Sequence, residues 1–216
     1  MTLPSEINFT HQLNWRYACK AFDPNQKLTP EQWAILAESL HLSPSSYGLQ
    51  PWKFWVVQNT ELRRELRMAS WNQGQVEDCS HFVVFTTLKT LSEDYVNHYM
   101  QRIADVRNVE LSTLEGYRQA IMGGLVNGDR SHTIQHWAQR QSYIAMGSLL
   151  TTAAYLQVDT CPLEGISAPE YDRILGLETS DYTTIAAVAL GFRSANDKYQ
   201  HAPKVRFDIN DIIEYR

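Results

Sequence analysis

Apolar side chains recur at Trp33, Leu36, Ala37 and Leu40, a helical spacing that predicts one buried helix face over residues 30–42. Thr29-Pro30-Glu31-Gln32 opens this helix with an N-cap hydroxyl, a proline at the first helical position and a capping-box glutamine. Pro44 follows its end, since proline disfavours helix at the preceding residue. The period then changes. Phe54-Trp55-Val56-Val57 and Phe82-Val83-Val84-Phe85-Thr86-Thr87 are unbroken β-branched and aromatic runs, which predict buried strands. A charged helical pattern over 60–68 lies between them.

Tyr95, Tyr99, Ile103 and Val106 predict helix within 92–125, interrupted at Gly123-Gly124, a pair that with Gly128 reads as a loop. Ser131 is placed to cap a long helix over 132–156, whose centre from Ala145 to Ala154 is apolar or small nearly all round. Such a helix is buried, either at a subunit contact, where Gly147, Ser148, Ala153 and Ala154 allow close approach, or as a core helix of one chain. Val158–Cys161 and Thr183–Leu190 predict further strands, and Ser167-Ala168-Pro169-Glu170 has the S-x-x-E capping pattern of a brief helix. Apolar positions at Ile7, Leu13 and Trp15 precede these elements, and a charged tail ending in 209–216 follows them, read as extending along a partner. Strands separated by helices define an α+β or α/β sandwich. No internal repeat is present.

At 216 residues, the chain fits a single domain spanning 1–216 that can bury a substantial core. A net charge of -5 supplies no electrostatic reason to expect nucleic acid or an anionic membrane surface. Cys19, Cys79 and Cys161 are odd in number and form no C-x-x-C pair, so the expected setting is a reducing cytoplasm without a disulfide framework. The stretch from Met1 to Asn8 lacks a basic flank and an apolar core, so no signal peptide is expected, and no run approaches the roughly 20 apolar residues that span a bilayer.

The G-x-G-x-x-G and G-x-x-x-x-G-K-[ST] phosphate-binding loops are absent, as is a G-x-S-x-G elbow. His132 and His136 stand four apart but lack the glutamate of H-E-x-x-H, so a solvated helix face competes with a metal site and no metal is expected. The remaining chemistry lies in two cationic pairs, Arg16 with Lys20 and Lys204 with Arg206. The second pair shares one face if the chain there is extended. Either pair is an ordinary surface charge or a grip on an anion.

The order R-x-x-x-K-x-F (Arg16, Lys20, Phe22), S-P-S-S-x-x-x-Q-P-W (Ser43 to Trp52), Asn72, P-L-E-G (Pro162 to Gly165) and K-x-R (Lys204, Arg206) resembles the FMN-dependent nitroreductase family, over nearly the whole chain. The resemblance is strongest to oxygen-insensitive NAD(P)H nitroreductases and flavin reductases. It implies an α+β, three-layer sandwich with a central, mostly antiparallel sheet flanked by helices, in an intertwined homodimer. It also implies bound FMN, NADH or NADPH as electron donor, and nitroaromatics, quinones or flavins as small-molecule acceptors, reduced by ping-pong hydride transfer. Same-fold specialists, such as a reductive dehalogenase or a flavin-fragmenting enzyme, and a non-catalytic flavin-binding redox module stand as alternatives.

Carried over residue by residue, the resemblance assigns the phosphate to Arg16, Lys204 and Arg206, whose guanidinium and ammonium groups suit a dianion. Tyr17 and Ala18 lie in the same cofactor-binding segment. Lys20 is implied beside the flavin N1 and O2, where a cation favours the reduced ring. Asn72 and Gln75 are implied at the pyrimidine edge, with a structural asparagine as the competing reading of Asn72. Pro44, Ser45, Ser46 and Gly48 are implied to reach the cofactor across the dimer. Pro162, Leu163, Glu164 and Gly165 are implied near N5 and O4, with an ordinary tight turn as the competing reading. Lys20 and Glu164 are the residues expected to influence rate. The sequence departs from the family pattern at Ala18 for serine, Tyr47 for threonine, Gly48 for asparagine and Gln75 for a second lysine. Tyr99, Tyr117 and Met122 are candidate walls over the flavin, although core packing explains them equally well.

Overall fold

The computed structural model describes residues 8–216; Met1–Ile7, including the apolar Ile7 and most of the stretch examined for a signal peptide, lies outside them. The first element, α1 (Phe9–Trp15), is capped by Asn8, whose side chain accepts from the His11 N–H. Next comes α2 (Pro30–His41), with the predicted capping box formed in full. Thr29 Oγ1 accepts from Gln32 N at 3.2 Å, and Gln32 Oε1 accepts from Thr29 N at 3.0 Å. Such a cap contributes about 1 kcal/mol and fixes the helix start while Leu36 and Leu40 are buried.

Four strands form one sheet: β1 (Trp52–Val57), β2 (His81–Leu88), β3 (Asp159–Leu163) and β4 (Tyr182–Gly191), in the order β1-β2-β4-β3 with every pairing antiparallel. Helices cover both faces. On one, α2 and α7 (Ile134–Tyr155) pack on Val83, Phe85, Ala186, Val188 and Leu190 through Leu36, Leu40, Ala145 and Leu149. On the other, α3 (Thr60–Met68), α4 (Gln75–Asp78) and α8 (Ala168–Ile174) place Leu66, Val76 and Tyr171 against Phe82, Val84, Ala187 and Ala189. With neighbours above and below, β2 is buried almost throughout, and its unbroken run from Phe82 to Phe85 follows from that double cover. A third cluster joins α5 (Glu93–Arg107), α6 (Glu115–Ile121) and the start of α7 through Met100, Ile121, Leu125 and Trp137. The chain's last helix is α9 (Ile209–Ile212).

Several sequence expectations change. The run Phe54–Val57 forms a strand, but as the sheet edge it is not a buried one: Phe54 and Trp55 are half-buried and Val56 is exposed. The glycine pair at 123–124 sits in a π-helical turn, 122–126, not a loop. The long helix begins at Ile134 after a 3₁₀ turn over 129–133, so Ser131 does not cap it, and Thr133 at the cap position makes no capping bond, its hydroxyl donating instead to Arg130 O at 3.3 Å. Ser167 occupies the N-cap of α8, but its side chain makes no capping bond; its N–H instead donates to Ala69 O at 2.8 Å, tying this turn to the end of α3. The long helix is also less enclosed than its sequence suggests. Ala145, Met146 and Leu149 enter the core, while Tyr143, Ile144 and Gly147 are exposed. Among the described residues no helix is long and apolar enough to cross a membrane.

One buried cation holds the sheet edge to α3. Arg63 donates to Val57 O at 2.8 Å, Cys79 O at 2.9 Å and Ser80 O at 3.0 Å, so the guanidinium joins the end of β1 to the start of β2. Arg63→Met removes these donors and leaves buried carbonyls unpaired, a cost of about 2–4 kcal/mol. Urea unfolding of the variant is expected to show that loss; one below about 1 kcal/mol would contradict this role.

Candidate functional site

Beyond α1 the chain passes the outer edge of β3 at Ala18 and Cys19. Ala18 bridges Thr160, and Cys19 N donates to Thr160 O at 3.0 Å. Arg16, Tyr17, Ala18 and Lys20 line a pocket of about 420 Å³, while Cys19 is buried. Arg16 and Lys20 thus reach one pocket from non-helical backbone beyond the end of α1.

The chain's other end supplies the opposite wall, with Tyr199, Pro203, Lys204 and Arg206 lining the same pocket. Lys204 Nζ donates to Leu13 O at 2.8 Å and also to Arg16 O. Asp197 makes this meeting of the two ends possible. Its Oδ2 accepts from Lys20 N at 2.7 Å and Ala21 N at 3.0 Å, and its Oδ1 from Tyr199 N at 2.8 Å. Burial pushes the Asp197 pKa up, but these N–H donors outweigh it and hold the carboxyl below its usual range.

A second buried carboxylate, Asp159, accepts from Arg193 Nε at 2.9 Å and from its backbone N–H at 2.8 Å. The Arg193 guanidinium lies over the rings of Trp15 and Tyr17, at 4.3 Å and 4.7 Å from their centroids. Sequence reasoning missed Asp159, Arg193 and Asp197. The one available signal was an acidic residue close to each cationic segment, which ordinary surface charge also produces.

The gathered cations lack acidic partners: among the described residues, Arg16, Lys20, Lys204 and Arg206 make no ion pair. Arg16 Nε is a buried donor without an acceptor. Burial, then Arg206, lowers the Arg16 pKa; burial, then Arg16 and Arg206, lowers that of Lys204. Like charges held this close favour an anion between them, and a phosphate supplies the acceptors that Arg16 lacks. The donor set therefore fits a phosphorylated ligand.

The other predicted residues form two further groups. Gln75 is buried on α4, and its Nε2 lies 3.8 Å from Cys161 Sγ, with Lys20 Nζ 3.6 Å from the same sulfur. Asn72 is exposed with φ 57°, and its Oδ1 accepts from Arg67 Nε at 2.8 Å. Pro162 and Leu163 end β3, and Gly165 O accepts from Gln73 Nε2 at 3.1 Å, so P-L-E-G lies beside the Asn72–Gln75 turn. A Cβ on Gly165 would come within 2.8 Å of the ring of Trp71, an exposed side chain that would have to shift. The Glu164 carboxylate accepts from the Tyr143 hydroxyl of α7.

Pro44, Ser45, Ser46 and Gly48 stand apart from the cationic pocket. Ser46 N donates to Gln141 Oε1 of α7 at 2.8 Å, and Gln50 N to Ser45 Oγ at 2.9 Å. Tyr47 and Gly48 are both left-handed, at φ 57° and 67°. Tyr99 and Tyr117 hold this turn by donating to Tyr47 O at 3.0 Å and 2.8 Å, while Met122 is buried in the third cluster. His132 and His136 are exposed, and His136 meets Gln139.

This architecture has solved counterparts. The chain superposes on the Bacillus subtilis nitroreductase-type protein ydfN with a TM-score of 0.84 over 96% of this chain and 98% of that one, at 20% identity. It also superposes on a nitroreductase-type protein of Exiguobacterium sibiricum, crystallised with FMN, at a TM-score of 0.80, 21% identity and 100% of both chains. These likenesses define the nitroreductase fold. The model of the Nitroreductase family matches residues 13–192, and the chain belongs to that family. Among curated relatives, YfkO of Bacillus subtilis is 36% identical over 94% of each chain. A Staphylococcus epidermidis protein is 35% identical with the same coverage. Both relatives carry provisional NAD(P)H nitroreductase names.

Asp197→Asn puts an amide where backbone donors require acceptors, and should cost about 2–3 kcal/mol at neutral pH by urea unfolding. Because the folded pKa of Asp197 is depressed, its contribution is present above the unfolded value of about 3.9 and is lost as pH falls through the folded value; the variant should show a shallower loss below about pH 4. An unchanged acid profile would contradict this. Gly48→Ala sets a Cβ 2.3 Å from Tyr99 Oη at a left-handed φ and should cost about 2 kcal/mol, partly recovered when combined with Tyr99→Phe. Simple additivity in the double variant would count against the clash.

Proposed function

We propose that residues 1–216 form one flavin-binding domain of an FMN-dependent NAD(P)H oxidoreductase that works as a homodimer. The observation that carries this reading is the pocket formed by Arg16, Lys20, Lys204 and Arg206 from the two ends of the chain, with a buried Arg16 donor left without an acceptor. Membership of the nitroreductase family makes a flavin phosphate the natural anion. The names of the NAD(P)H nitroreductase relatives and the FMN-bound structural neighbour support donor and cofactor.

In this reading Arg16, Lys204 and Arg206 bind the phosphate, and Tyr17 and Ala18 shape the wall between them. Bound FMN supplies a ring that accepts two electrons from the nicotinamide and passes them to an acceptor. Lys20 sets a positive charge beside the reacting ring and favours its reduced form, while Gln75 and Asn72 offer polar edges. Pro162, Leu163, Glu164 and Gly165 close the other side, with the Glu164 carboxylate held by Tyr143. Lys20 and Glu164 influence rate through charge and placement; protons come from solvent.

Support for two chains comes from uncovered apolar surface. Tyr143 and Ile144 of α7, and Val205, Phe207, Ile209 and Tyr215 of the tail, are exposed side chains that a second subunit can bury. In a dimer, the Pro44–Gly48 turn of one chain completes the site of the other. With one open site for donor and acceptor in turn, the kinetics are ping-pong, and the acceptors are quinones, nitroaromatics or free flavins.

Purified protein reconstituted with FMN should be yellow, bleach anaerobically with NADH or NADPH, and regain colour on addition of a quinone or nitroaromatic acceptor. Initial-rate lines at several fixed acceptor concentrations should be parallel. A protein that takes up no FMN, or one whose bound flavin no nicotinamide reduces, would overturn the proposal.

A further inference from the structure

Cys161 has no assigned role, yet it stands where the two ends of the proposed site meet. Its side chain is fully buried on β3, whereas Lys20 is exposed in the pocket. Three contacts fix the sulfur. Lys20 Nζ approaches Sγ at 3.6 Å, Gln75 Nε2 approaches it at 3.8 Å from α4, and the thiol points to Pro162 O at 3.7 Å. Among the described residues, Sγ is the one side-chain acceptor within hydrogen-bond distance of the Lys20 ammonium. The carboxylate that could compete is occupied: Asp197 takes the backbone N–H groups of Lys20, Ala21 and Tyr199.

The chemistry of that acceptor matters. A carboxylate at this place would pair with the ammonium and spend its charge. A thiol accepts weakly and carries no charge, so it can direct the lysine without neutralising it. Burial pushes the Cys161 pKa up, against the pull of Lys20 and Gln75, which keeps the group a thiol at neutral pH. Gln75 and Pro162 O meet the same sulfur from other sides and hold it toward the lysine.

We propose that Cys161 is a positioning residue for Lys20: its neutral sulfur aims the ammonium at the ligand while leaving the positive charge free to act on it. The inference rests on the flavin reading above, in which that charge favours the reduced cofactor.

The test compares the FMN midpoint potentials of wild type, Cys161→Ala, Cys161→Ser, Lys20→Met and the Lys20→Met/Cys161→Ala double variant, by dye equilibration. Loss of the acceptor in Cys161→Ala should weaken reduced FMN about tenfold more than oxidised FMN. That corresponds to a drop of about 30 mV for a two-electron couple. Serine retains an acceptor and should recover most of the drop. Cys161→Ala should add nothing once Lys20 is Met. An unchanged potential in Cys161→Ala, or a fully additive drop in the double variant, would overturn the proposal, because a purely structural thiol has no reason to act through Lys20.

A second measurement does not require FMN. In apoprotein with ¹³C-dimethylated lysines, the Lys20 resonance, assigned by its loss in Lys20→Met, should shift in Cys161→Ala. A resonance that stays in place overturns the proposal whether or not flavin binds. One that moves in a protein unable to take up FMN sustains the Lys20–Cys161 pairing while removing the flavin reading.

Discussion

The site depends on one buried carboxylate that joins the two ends of the chain. Asp197 accepts backbone N–H groups from Lys20 and Ala21 on one side and from Tyr199 on the other. Lys20 N and Asp197 lie 177 positions apart, so closing this loop carries a large entropic cost, and a charged acceptor with several donors helps to offset it. Asp159 does similar work one step away, holding Arg193 across the rings of Trp15 and Tyr17. The acidic groups near the site are therefore engaged by backbone and by Arg193, which leaves Arg16, Lys20, Lys204 and Arg206 without acidic partners. That division of labour leaves the junction with a cationic pocket whose donors fit an anion.

The sheet provides the fixed frame. Its edge strand β3 carries Cys161 and Pro162, takes Ala18 and Cys19 on its free side, and leads directly into Glu164 and Gly165. Helix α7 supports the remaining pieces, since Gln141 receives Ser46 N and Tyr143 donates to Glu164 two residues later. Elements distant in sequence thus hold small polar segments against rigid structure, and rigid support of this kind keeps a polar site in place.

Much of the fold was legible because its signals are local. The capping box of α2 lies within four residues, and β2 is buried almost throughout because helices cover both faces of the sheet there, whereas the apolar run of β1 lies at the edge and is only partly covered. The misses have equally local causes. Gly123-Gly124 carries the composition of a break, yet the chain continues through a π-helical turn; α1 is short, with only Gln12 buried, so no apolar stripe announces it. In the site, motif resemblance pointed to Arg16, Lys20, Lys204 and Arg206, and the fold does place them around one pocket. Asp159, Asp197 and Arg193 were invisible because their partners are set by tertiary pairing, not by spacing. Tyr99, Tyr117 and Met122 are open to two readings in the sequence, a wall or core packing; the fold buries Met122 in the third cluster and directs the hydroxyls of Tyr99 and Tyr117 to the left-handed turn at Tyr47.

The central claim is that the cations at the chain's two ends hold a phosphate. Its most direct test is the ratio of affinities for FMN and riboflavin, which share the ring and differ in that phosphate, measured by flavin fluorescence on the apoprotein. Two or more charge-assisted contacts at about 1.5–3 kcal/mol each predict FMN binding at least about 100-fold tighter than riboflavin, with the gap largely gone in a Lys204→Met/Arg206→Gln variant. Equal affinity for the two flavins in the wild-type protein would contradict the account.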